Sequence, residues 1–107
     1  MGPLTEREAA QADRVGRRLH AELRRLLGAM PASSRSASGL SRLLGVDRTT
    51  CQRITSAVRE PYGGASLLGR LPGVKGLTSV VDLAREHVDA ETADAASAAV
   101  RHFESLV

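Results

Sequence analysis

The chain is predicted to be an all-α protein, a compact bundle of about five or six helices with no winged sheet. Three observations predict it. Apolar residues recur at alternating intervals of three and four in several long stretches, the rhythm of a helix with one buried face. Aromatic residues number only one Tyr and one Phe, so the core must be assembled from Leu, Val, Ala and Ile, which suits packed helices. Valine and isoleucine never alternate with polar residues over a strand-length run. At 107 residues the chain can build one hydrophobic core but not two independent ones. Positions 1–107 are therefore expected to form a single helical domain, with a long helix within 5–30, a helix pair within 36–59 and further helices over 61–107.

The first helix is expected from about Thr5 to Leu27. Thr5 and Glu8 have capping-box spacing, in which each side chain satisfies the other's open amide. Val15, Leu19, Leu23, Leu26 and Met30 then form one apolar stripe. The opposite face carries Arg14, Arg17, Arg18, Arg24 and Arg25, and is expected to be solvated. Gly28 and Pro31 should end the helix, and the serine-rich segment 33–38 should be a short loop with Ser36 capping a helix over Ala37–Leu44.

The segment ASGLSRLLGVDRTTCQRITSA, positions 37–57, resembles the helix-turn-helix of DNA-binding transcriptional regulators. Leu40, Ser41, Leu44, Val46, Cys51 and Ile54 are apolar or small where two crossing helices must touch. Gly45 stands where a tight turn needs a left-handed backbone, and Asp47 is placed to cap the second helix. On that helix, 48–58, Cys51, Ile54 and Val58 follow the buried rhythm. Arg48, Thr49, Gln52, Arg53 and Ser56 fall outside it, with Arg59 one turn further on. Arginine can pair bidentately with guanine and glutamine with adenine, while serine and threonine reach bases or phosphates. The resemblance thus implies double-stranded DNA as partner, with Arg48, Thr49, Gln52, Arg53 and Ser56 meeting base edges or flanking phosphates. Ser36 and Ser38, opening the preceding helix, would donate to the backbone. Charge agrees: positions 1–60 carry eleven Arg against six acidic residues, and positions 61–107 four basic against six acidic.

Beyond Pro61, a Tyr62-Gly63-Gly64 turn, a short helix over Ala65–Leu71, a turn over Pro72–Gly76 and a helix from about Thr78 to His87 are expected. LPGVKGLTSVV, positions 71–81, is partly similar to the hairpin of the helix-hairpin-helix family, which implies non-specific gripping of the DNA backbone through a turn within 71–80 as an alternative. The family's second glycine would fall at position 75, where this chain has Lys75. Asp89 is expected to cap a final helix carrying Ala93, Ala96, Val100, Phe103 and Val107 in three-four spacing. Prokaryotic helix-turn-helix proteins commonly bind palindromes as dimers, so a homodimer is expected, with this last helix the favoured interface. A protein-interaction module of the transcription machinery is the reading from another class.

No catalytic constellation is visible. His20, His87 and His102 are dispersed and, with Cys51, lack metal-ligand spacing, while the glycine turns lack the phosphate-loop ending. The expectation is a non-enzyme without cofactor or metal. A single cysteine excludes a disulfide framework within the chain and suits a reducing cytoplasm. The charged start lacks the apolar run of a signal peptide or membrane span.

Overall fold

The long apolar stripe of the first helix sets what the other elements pack on. The computed structural model describes residues 6–61 and 70–105. Among them are α1 (Glu6–Ala29), α2 (Ala37–Leu44), α3 (Arg48–Arg59), α4 (Val74–Ala84) and α5 (Ala90–Glu104), with single 3-10 turns at Ala32–Ser34 and Arg85–His87 and no strand. Leu19, Leu23, Leu26 and Leu27 of α1 and Met30 just past its end are buried, and Val15 packs partly against this cluster. One flank of α1 receives α3 and another α5, while α2 packs on α3, and α4 on α5 and more lightly on α2. The radius of gyration is 13.6 Å, close to the roughly 13 Å of a packed chain of this size.

Several boundaries differ from the sequence expectation. Helix α1 continues through Gly28 to Ala29. Gly28 is exposed and an added Cβ there would meet nothing, so Pro31, not this glycine, ends the helix. Helix α4 begins at Val74, and the turn before it is Pro72–Gly73 alone. Lys75 and Gly76 are therefore helical, and the five-residue glycine turn implied by the helix-hairpin-helix likeness is absent. Tertiary packing explains the reversal: a Cβ on Gly76 would lie 3.3 Å from both Pro72 and the Thr50 methyl, so the helix seats its glycine against α3. The segment at 85–87 tightens into a 3-10 turn before Asp89 opens α5.

The final helix spends its apolar face inside its own chain. Ala93, Ala96, Val100 and Phe103 are buried, and α5 lies along α1. That stripe is thus covered within the chain, where α5 packs on both α1 and α4, and cannot also be the interface between copies. The Thr5–Glu8 capping box, the Tyr62–Gly64 turn, most of the short helix expected over Ala65–Leu71, and Val107 lie outside the described residues.

Two glycines in this region obey different constraints. At Gly39 an added Cβ would run into the Ser33 carbonyl oxygen, so the Ala32–Ser34 turn presses directly onto the α2 backbone. Gly45 has open space around it but φ of 70°, the left-handed region. Gly39→Ala should therefore destabilise by roughly 1–3 kcal/mol or more, lowering the melting temperature by about 10 °C. Gly45→Ala should cost less, about 1 kcal/mol, and Gly45→Asn less still, since asparagine tolerates that backbone. Thermal melts of the three variants check the order; equal losses at both sites would refute the close approach at Gly39.

Candidate nucleic-acid interface

The turn between α2 and α3 satisfies its own polar groups. Ser36 caps α2, its Oγ accepting from the Gly39 N–H at 3.0 Å. At the other end the Gly45 N–H donates to the Ser41 carbonyl at 2.8 Å. The Ser41 hydroxyl then reaches over the turn to donate to the Val46 carbonyl at 2.6 Å. Asp47 caps α3, accepting from the Thr50 N–H at 2.9 Å and the Thr50 hydroxyl at 2.8 Å. Asp89 and Thr92 repeat the same pair of bonds at the start of α5. With its start fixed by this cap, α3 takes the rotational setting that its buried face dictates.

That setting divides its side chains. Cys51, Ile54, Thr55, Ala57 and Val58 face inward. The Thr55 hydroxyl, buried among apolar neighbours, donates back to the Cys51 and Gln52 carbonyls. Outward, Thr49, Gln52, Arg53 and Ser56 line one concave surface together with Arg70, which comes from outside the helix pair. Arg48 is exposed at the first position of α3, beside this surface rather than in it. Arg59 lies elsewhere, sharing with Arg35 a small groove whose floor includes Leu27 and Val58. Ser36 and Ser38 are exposed but line neither surface. A Ser36 hydroxyl that accepts in the cap still has its own proton to donate.

Two contributors are not visible in the spacing of residues. Arg70 is ten residues from Glu60, with which it pairs at 2.9 Å, and no periodicity connects them. His20 of α1 is buried, and its Nε2 lies 2.7 Å from the Glu60 carbonyl oxygen, tying the end of α3 to the long helix. The bond requires the proton on Nε2, since a carbonyl only accepts. A histidine within an arginine-rich helix was the available signal, and it read as dispersed because its partner is a backbone atom.

No protein-family model, curated protein or solved structure matches the chain. Function must therefore be argued from these side chains. No group of three or more His, Cys, Asp or Glu among the described residues is placed to hold a metal ion. No helix among them is long and apolar enough to cross a membrane.

Electrostatics separates Asp47 from the surface beside it. The backbone and then the side-chain hydrogen bond from Thr50 hold its carboxyl below the ordinary carboxylate range, with Arg53 adding a smaller pull. In Asp89 the Thr92 hydroxyl and amide do the same. Both carboxylates are occupied as caps. Burial, reinforced by the Asp47 charge, pushes the Cys51 thiol up, and the side chain is fully enclosed.

Two outcomes follow from these positions. Because both folded carboxyls titrate below their unfolded value, the caps stabilise fully above about pH 4 and are lost as pH falls through the folded values. The melting temperature should hold from neutral pH to about 5 and fall below about 4, with a shallower fall in the Asp47→Ala/Asp89→Ala double variant. An equally steep acid limb in that variant would contradict the assignment. The Cys51 thiol should resist an aromatic disulfide reagent at neutral pH until denaturant unfolds the chain; rapid labelling of the native protein would place it outside the core.

Proposed function

We propose that this chain is a sequence-specific DNA-binding transcriptional regulator, or the DNA-binding part of one, in which α2 and α3 act as a helix-turn-helix. The observation that carries the reading is the convergence of Thr49, Gln52, Arg53 and Ser56 on one exposed concave surface, with the inward face of α3 wholly used in packing. At 1.5 Å per residue, α3 is about 18 Å long, and the major groove, about 12 Å wide, admits such a helix. Gln52 and Arg53 suit adenine and guanine edges. Thr49, Ser56 and Arg48 suit bases or the adjoining phosphates, and Ser36 and Ser38 would donate to the backbone from the start of α2.

A twofold dimer on a palindrome remains part of the proposal, but with α5 committed to α1 it must use another surface. The competing reading, an interaction module of the transcription machinery, draws on Leu43 and Leu83, large apolar side chains left partly exposed. The cytoplasm is the compartment either function would require.

Selection from a random duplex library, followed by fluorescence anisotropy on the recovered site, tests the reading. Arg53→Ala should weaken binding there by roughly 1–3 kcal/mol while leaving the melting temperature within a few degrees, because the side chain is exposed. Unchanged affinity in both Arg53→Ala and Arg48→Ala would refute this face as the reading surface. Failure to retard any duplex at low salt would favour the interaction module.

A further inference from the structure

Arg70 lies outside the segment that resembles a helix-turn-helix, yet its side chain lines the same concave surface as Thr49, Gln52, Arg53 and Ser56. Its ion pair with Glu60 is at the surface, with 45% of the Arg70 side chain and 62% of the Glu60 side chain exposed. Such a pair in water adds little to folding, so stability is a weak reason for an arginine here. Glu60 closes α3 and its carbonyl is held by buried His20, so the carboxylate that orients Arg70 is itself on a fixed anchor. A cation is thereby held in the polar concavity that the outer face of α3 also lines.

A helix seated in the major groove has base edges in front of it and a wall of phosphates on either side. A cationic side chain that shares this surface without belonging to the helix has the wall as its natural partner. We infer that Arg70 is a phosphate-contacting residue of the DNA interface, exchanging its Glu60 partner for a backbone phosphate when the duplex binds. This rests on the DNA-binding reading and adds to it a contact from outside the helix pair. Guanidinium pairs bidentately with phosphate, and a phosphate wall carries a denser negative charge than one exposed carboxylate. The contact would position the protein on the duplex without reading sequence.

The two members of the ion pair then predict opposite results. Anisotropy titrations of the full chain on a fluorescent random-sequence duplex of about 20 base pairs, over a range of salt, compare wild type, Arg70→Ala, Arg70→Lys and Glu60→Gln. Arg70→Ala should weaken binding several-fold, equally on random and selected duplexes, and reduce the slope of log affinity against log salt by about one. Arg70→Lys, which keeps the charge, should retain the wild-type slope. Glu60→Gln breaks the same ion pair but removes a negative charge beside the phosphate, so it should bind at least as tightly as wild type. Equal weakening by Arg70→Ala and Glu60→Gln would show a merely structural pair and overturn the inference. So would Arg70→Ala with wild-type affinity and slope, the DNA reading then standing without it. A wild type that binds no duplex at all would overturn both.

Discussion

Leu19, Leu23 and Leu26 lie almost wholly out of water, at 0, 1 and 0% exposure, and the arrangement of the other helices depends on how that stripe is covered. Each such leucine contributes roughly 1.5–3 kcal/mol by leaving water, whereas an exposed ion pair contributes about 0–1 kcal/mol. The pairs Arg17–Asp13, Arg70–Glu60 and Arg85–Asp94 therefore decorate an arrangement that the apolar stripe has already set. Because α1 is long and its stripe continuous, it can bind α3 on one flank and α5 on another without either touching much of the other. The aliphatic composition helps: Ala93, Ala96 and Ala99 of α5 are buried and small, so two helix backbones can approach without aromatic spacers.

Against this spine, the α2–α3 turn is a problem in backbone accounting. A short link between two helices leaves carbonyls and amides from both ends needing partners. Ser41, Gly45, Asp47 and Thr50 supply them within ten residues, and none borrows from the outer face of α3. Arg53 and Gln52 are consequently free of structural duty, while Asp47, the acidic neighbour that would repel phosphate, is engaged as a cap. Rigid presentation and uncommitted polar side chains are the combination a recognition surface needs.

Much of this was legible in the chain because it is governed by local rules. The Ser36 and Asp47 caps, the left-handed Gly45, the inward Cys51 and Ile54 and the span of α2 all follow from helix termini and periodicity. The α1 stripe and the Asp89 cap follow for the same reason. What was not legible depends on contacts distant in sequence. Gly76 reads as a turn residue until Thr50 is seen packed against it. The α5 stripe reads equally well as an interface or a core, and only the positions of α1 and α4 decide. Arg70 and His20 both converge on Glu60, through a side chain in one case and a carbonyl in the other, and neither link leaves a trace in spacing. Gly39 did leave one, as a glycine inside a helix with no turn to explain it.

That glycine has a consequence for recognising distant kin. A side chain on the outer face of α3 can change without disturbing the packing, and core leucines can exchange with other aliphatics of similar volume. The backbone contact at Gly39 permits no such drift, since any Cβ would enter the Ser33 carbonyl, and the conformation at Gly45 permits little. A serine followed three positions on by glycine, then after five residues by a second glycine, with a capping acid two positions later, is thus an imprint of geometry rather than of ancestry or ligand. Chains that have lost every other likeness to this one, but keep its turn, should still carry those marks.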